Sequence, residues 1–237
     1  GRHHCKRERA SGFCYVNDIV LGILELNKTF SRVLYVDLDL HHGDGVQDAF
    51  LYSNKVMTLS FHHFDRGFYP NSGGIPVEGK GKGKGFSLNV PLMQGTTDSS
   101  FLQAFEEVMK FVWLSFEPQA VVVQCGSDGL AGDPYKVFNL TTDAFAGAIK
   151  SVLEWDIPTL VLGGGGYSSV NCARCWTRLT AIACGQDIAV SADIPDHKFY
   201  TEYVPACSMA IDKRLVPDEN TPESIADTLN QIMLRPH

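Results

Sequence analysis

Four stretches of the chain are nearly unbroken runs of apolar, mostly β-branched residues: Arg32–Asp37, Val56–Phe61, Ala120–Gln124 and Thr159–Gly163. Short runs of this kind, without polar alternation, predict strands buried on both faces, as in a parallel sheet. Between them the apolar spacing changes to three and four residues. That spacing predicts a helix over about Asn17–Leu26, with Ile19, Ile23 and Leu26 on one side. It predicts others over about Ser99–Phe116, behind a capping Thr97-Asp98, and over about Thr142–Trp155 and Val170–Cys184.

Strands alternating with helices imply an α/β fold, a doubly wound, mostly parallel sheet flanked by helices in a single domain. Ligands of such sheets bind beyond the carboxyl ends of the strands. Polar, chemically capable residues follow three of the four strands at once: Asp37 to Asp44, Gly126-Ser127-Asp128 and Gly163 to Tyr167. They are expected to converge on one rim. The Gly/Lys segment Glu78–Gly85 opens no helix and matches no phosphate-binding loop, so a flexible surface loop is expected there. The tail after about Asp187, richer in proline and charge, is expected to wrap the surface.

Composition narrows this picture only modestly. The 237 residues are 44% hydrophobic and 20% charged, which suits one globular domain. No apolar run approaches the roughly 20 residues that cross a bilayer. A net charge of −7 argues against a direct grip on nucleic acid and is compatible with a basic peptide substrate. Seven cysteines in no regular framework, with no secretory signal, point to a reducing compartment and free thiols. The Cys172-x-x-Cys175 pair falls in a predicted helix and reads as packing, as does Cys14.

The segment Asp37 to Gly45 carries the most chemistry. In extended chain alternate residues share a face, so Asp37, Asp39 and His41 can point together. Asp39 and His41 offer an oxygen and a nitrogen to one metal, and Asp128, at the end of another strand, is the natural third ligand. Three such ligands leave a position open, as a catalytic zinc site requires. His3 and His4 suit acid–base work, with Asp37 and Asp44 as carboxylates to orient their rings. Four glycines, Gly163 to Gly166, let backbone press close to a ligand and deliver the Tyr167 phenol as an oxyanion donor. Aromatics in Gly12–Tyr15 and Gly67–Pro70 could line a slot for a methylene chain ending in an amide.

The motifs HHC, ASGFCYVND, YVDLDLHHGDGVQDAF, GFYP, QCGSDGLAGDP and LGGGGY, in this order, resemble the class I zinc-dependent histone deacetylases of the arginase–deacetylase fold. The resemblance runs from His3 to about Asp196. It implies zinc held by Asp39, His41 and Asp128, with His4 as general base and acid beside His3, their partners Asp37 and Asp44, and Tyr167 as catalytic tyrosine. The implied substrate contacts are Gly12, Phe13, Tyr69, Tyr135 and Gly165. It also implies structural potassium at Asp37, Asp39, His41, Ser60 and Phe61, and at a second site of Phe50, Ser53, Val56 and Phe86.

The implied reaction is hydrolysis of N-acetyl-lysine in histone tails or other proteins. The implied setting is the nucleus, and also the cytoplasm, with corepressor proteins as partners and neither direct nucleic acid nor membrane. On this resemblance residues 1–237 read as the C-terminal major part of one catalytic domain. The family's leading stretch, with a rim aspartate and a channel arginine, is expected ahead of Gly1. Tyr69 replaces a usual Phe, Tyr135 stands where Met or Leu is common, and Val204-Pro205-Ala206 departs from the expected continuation after Tyr203. A catalytically silent acetyl-lysine or corepressor binding module and an acetylpolyamine amidohydrolase stay open as alternatives.

Overall fold

A computed structural model describes residues 1–75 and 78–233. Its elements run α1 (Asp18–Leu26), β1 (Val33–Asp37), α2 (Asp44–Phe50), β2 (Val56–His63), β3 (Ser87–Leu92), α3 (Asp98–Phe116), β4 (Ala120–Cys125), α4 (Thr142–Leu153), β5 (Thr159–Gly163), α5 (Ser169–Ala183) and α6 (Pro222–Met233). The five strands form one parallel sheet in the order β3-β2-β1-β4-β5.

The pleat divides the core in two. On β1, Leu34 and Val36 face the side covered by α3, α4, α5 and α6, while Val33 and Tyr35 face the side of α1 and α2. On β4, Val121, Val123 and Cys125 join the first group and Ala120 and Val122 the second. Strands with helices on both faces need apolar residues on both, which is why their sequences lack alternation. All four expected strands and four expected helices are present, with ends shifted by a residue or two. Strand β2 runs on through His62 and His63, whose buried imidazoles find hydrogen-bond partners, His63 at the Leu92 carbonyl of β3. His62 bonds Ser60 Oγ at 2.9 Å and the Gly73 carbonyl at 3.0 Å.

Several expectations need correction. Among the described residues β5 is the last strand on its side of the sheet, and Leu160 is 41% exposed there. Strand β3 carries Pro91, which masks it in sequence, but β3 is the opposite edge, where a missing N–H is tolerated. The Gly/Lys segment lies at the surface as expected, with Lys80, Gly81, Lys82 and Lys84 exposed, but hydrogen bonds tie it to its neighbours. Lys80 N donates to the Leu51 carbonyl at 2.7 Å and Gly85 N to the Glu78 carbonyl at 2.6 Å, and a short 3-10 turn at Gly81–Gly83 lies between. The tail also contributes to the core: Ile225, Leu229 and Ile232 of α6 are buried against α3 and β3.

Candidate active site and metal centre

The carboxyl ends of β1, β4 and β5 bring their polar loops together. Past β1 the chain stays extended for one more rung, Leu38 N donating to the Gln124 carbonyl at 2.9 Å, before turning. The turn is built by carboxylates. Asp39 N donates to Asp37 Oδ1 at 3.2 Å, Leu40 N to Asp128 Oδ1 at 2.9 Å and His41 N to Asp39 Oδ1 at 3.0 Å. His41 Nδ1 lies 2.9 Å from Asp128 Oδ2 and 3.3 Å from Asp39 Oδ1. One ligand atom from each of Asp39, His41 and Asp128 lies within 4.8 Å of the other two, and all three residues are buried.

The charges of this triad fit a dication. Burial and the adjacent Asp39 carboxylate push the Asp128 carboxyl up to about 7. Burial opposes ionisation of Asp39 as well, but His3 and His41 beside it, with the Gln124 amide at 2.9 Å, hold it well below the usual range. Burial works against a charged His41, yet its bonds to Asp128 and Asp39 raise it to about 10. The isolated pocket thus gathers protons to balance two buried carboxylates, and a divalent ion would displace them and accept all three donors. Space is reserved by glycine: a Cβ at Gly165 would come within 2.6 Å of Asp128 Oδ2 and 2.9 Å of Asp39 Oδ2. A Cβ at Gly126 would collide with the Asp39 carboxylate. Gly165 N also donates to Asp39 Oδ2 at 2.9 Å.

The tandem histidines lie beside the triad, their rings 3.9 Å apart. Each has its own carboxylate: His3 Nδ1 is 2.8 Å from Asp37 Oδ2, and His4 Nδ1 is 2.7 Å from Asp44 Oδ1. Their electrostatics diverge. For His3 burial is overcome by Asp37 and Asp39, and its pKa rises to about 9. For His4 burial, helped by the neighbouring His3 charge, outweighs the Asp44 bond and lowers it. At neutral pH His3 holds a proton and His4 is free to accept one. Gly12, at φ +52°, presses against the His4 ring, where a Cβ would collide.

Tyr167 stands at the mouth, 44% exposed, its ring 5.2 Å from that of Tyr135 and 6.3 Å from that of Phe13. Burial and the Asp128 carboxylate push its phenol up, so it is a proton donor throughout the physiological range. Tyr135 meets the His41 ring edge-on at 4.7 Å. Tyr69 packs on His4 at 4.9 Å and ties its hydroxyl to Ser11 Oγ at 2.6 Å. A cavity of about 170 Å³ is bounded by His4, Asp39, His41, Asp128, Gly165 and Tyr167.

The candidate potassium residues fall into two groups. Asp37 and Ser60 are register partners on β1 and β2, with Phe61 next along β2. Phe50, Ser53 and Val56 lie on the turn from α2 into β2, where Ser53 N donates to the Phe50 carbonyl at 2.8 Å, and the Phe86 carbonyl accepts Thr58 N at 2.9 Å. All seven cysteines are free. Cys172 and Cys175 are buried on α5, and Cys172 Sγ accepts a hydrogen bond from Ser127 at 3.1 Å.

Five further residues belong to the site. Tyr35 donates to Asp37 Oδ2 at 2.6 Å, and its position two residues before Asp37 on one strand face signalled it. Gln124 is the one polar residue inside β4 and fastens Asp39. Phe68 stacks on His41 at 5.2 Å. Lys6 Nζ reaches Asp44 Oδ2 at 2.5 Å and Asp48 Oδ2 at 2.7 Å. Asp133 bonds the backbone of both Tyr135 and Tyr167. Phe68 belongs to the Gly67–Pro70 aromatics read from sequence as lining the slot, whereas nothing local marks the roles of Lys6 and Asp133.

A family model described as the histone deacetylase domain matches residues 1–183. Histone deacetylase 8 of Xenopus laevis is 50% identical over 232 residues, which cover 98% of this chain and 71% of that protein. Histone deacetylase 8 of Danio rerio is 49% identical over 232 residues, 98% of this chain and 61% of that protein. Histone deacetylase 1 of Homo sapiens is 45% identical over 223 residues, 94% of this chain and 46% of that protein.

Proposed function

Because the chain belongs to the histone deacetylase family, we propose that it forms the main part of a catalytic centre hydrolysing N-acetyl-lysine to lysine and acetate. One observation carries the reading: a metal-ready Asp39–His41–Asp128 triad, a neutral His4 and a protonated Tyr167 phenol border one small cavity.

Asp39, His41 and Asp128 would hold zinc, which when bound polarises the acetyl carbonyl and makes water a stronger acid. The chain supplies the rest. His4 has Nδ1 committed to Asp44, so Nε2 is the atom that takes the proton of the attacking water and later returns it to the leaving amine. The charged His3, anchored on Asp37, keeps His4 from being protonated too early. The Tyr167 hydroxyl donates to the carbonyl oxygen as negative charge builds there. Gly12, Phe13, Tyr69, Tyr135 and Gly165 surround the acetyl-lysine stem, and the Tyr69 hydroxyl, held by Ser11, adds a polar point to the slot.

We assign acetylated histone tails and other acetyl-lysine proteins as substrates, with corepressor proteins as partners and the nucleus as the main location. Among the described residues no helix is long and apolar enough to cross a membrane. Potassium is proposed as a structural ion at the two residue groups named above. The relatives differ in how much of their length this chain spans, from 71% to 46%. The test therefore uses the whole protein carrying it. Zinc-loaded protein is expected to deacetylate acetyl-lysine peptides, to lose that activity to a chelator and to regain it with zinc. Binding of acetylated peptide without turnover would replace the enzyme with a binding module. Preference for acetylpolyamines over peptides would move the substrate class.

A further inference from the structure

The Gly163–Tyr167 loop poses a physical problem that the catalytic reading leaves open. Its glycines make the approach to the metal triad possible, but they leave the backbone with little conformational restraint of its own. Gly166 sits at φ +136°, and a Cβ there would run into Ser127 Oγ and Cys172 Sγ. The first part of the loop is pinned, Gly165 N on Asp39 and the Gly165 carbonyl accepting Ser127 N at 2.7 Å. Tyr167 itself is 44% exposed, so packing alone does not fix it. A catalytic donor must nevertheless be held to a fraction of an ångström.

Asp133 supplies the restraint. Its Oδ2 accepts Tyr167 N at 2.8 Å, and its Oδ1 accepts Tyr135 N at 3.0 Å. The carboxylate is 1% exposed, and with both oxygens engaged one side chain fixes the backbone of both tyrosines. Asp133 is itself held in a tight turn, Asp133 N donating to the Leu130 carbonyl and Lys136 N to the Asp133 carbonyl, each at 3.1 Å. That turn is fastened to α5 by Asn171 Nδ2 on the Ala131 carbonyl at 3.0 Å, and Asn171 is in turn held by Arg174 at 2.8 Å. The two tyrosine rings, joined through this carboxylate, meet at 5.2 Å and 70°. An isosteric Asn keeps only one acceptor and turns an NH₂ toward one of the two N–H groups, so one clamp must open.

We propose that Asp133 is a positioning residue for catalysis, a single buried carboxylate that locks the loops of Tyr135 and Tyr167 into one arrangement and thereby aims the Tyr167 hydroxyl. The inference rests on the proposed deacetylase activity.

A double-mutant cycle in the whole, zinc-loaded protein tests it. Asp133→Asn is expected to lower kcat on an acetyl-lysine peptide by about 30-fold or more while KM changes by less than about threefold. In a Tyr167→Phe background the same substitution is expected to add less than about a twofold loss, because its effect runs through the missing hydroxyl. A second readout needs neither metal nor turnover. With 3-fluorotyrosine at position 167, the parent protein is expected to give one narrow ¹⁹F line, and Asp133→Asn a broadened or multiple one. If Asp133→Asn does not fold, Asp133→Glu, which keeps both oxygens one methylene further out, is expected to show a smaller loss with the same non-additivity. Full turnover in the Asp133 variant, additive losses in the cycle, or an unchanged ¹⁹F line would overturn the role of Asp133. A parent protein without deacetylase activity would instead overturn the functional reading, leaving the ¹⁹F comparison to judge the clamp.

Discussion

At Asp128, burial and the neighbouring Asp39 carboxylate act in the same direction, while the bond to His41 pulls the other way. Balances of this kind give each residue of the site its task. His3 and His4 are adjacent in sequence and chemically alike, yet Asp37 and Asp39 keep one charged while burial and its neighbour's charge keep the other neutral. The Tyr167 hydroxyl contributes as a donor to a developing oxyanion, so Tyr167→Phe is expected to cost about 10²–10³-fold in kcat with zinc content unchanged, measured by peptide turnover and metal analysis. Turnover within a few-fold of the parent would remove the tyrosine from the mechanism. Asp39 and His41 were legible because alternation along extended chain is a local rule, and Asp128 because it follows closely on a recognisable strand. Lys6 and Asp133 were not, because each is defined by a partner that only the tertiary fold brings near.

Among the elements, sequence missed α2, a helix of only seven residues, and two that lie at margins. Strand β3 accommodates Pro91 only because it is an edge, and α6 follows a long irregular stretch that hides its short apolar stripe. That stripe has structural weight: Ile232 is fully buried, so Ile232→Ala is expected to lower stability by about 2–5 kcal/mol, read from chemical denaturation. A change under about 0.5 kcal/mol would return α6 to the surface role first expected of the tail. The turn after β1 and strand β2 also hold a pH response. Burial lowers His42 to about 4, although Gln47 at 3.0 Å favours its charged form, and His42 also bonds Ser72 at 2.8 Å. A depressed histidine stabilises the fold when neutral. Its contribution is complete above the unfolded value near 6.5 and is lost as pH falls through about 4, on the order of 3 kcal/mol in all. Melting curves of His42→Gln are therefore expected to depend less steeply on pH between 6.5 and 4 than those of the parent. Equal slopes would show that His42 is not buried neutral.

For the molecule as a whole, the parallel sheet is what turns separate segments into a site. Register places β1, β4 and β5 side by side with their carboxyl ends level, so loops from Asp39, Asp128 and Gly165 meet at one rim. This much was readable from strand–helix alternation and from the residues that follow each strand. The place of β5 in the strand order was not readable, because an apolar run looks alike at any position in a sheet. The net charge of −7 is consistent with attraction of basic peptides at low salt, but the chemistry is decided locally, by a few buried groups. The most direct test counts zinc per chain by native mass spectrometry, in the parent and in a folded Asp128→Ala variant. One zinc ion in the parent and none in the variant is the expected result. A parent that takes up no zinc, or a variant that keeps it, would contradict the metal centre on which the catalytic reading depends.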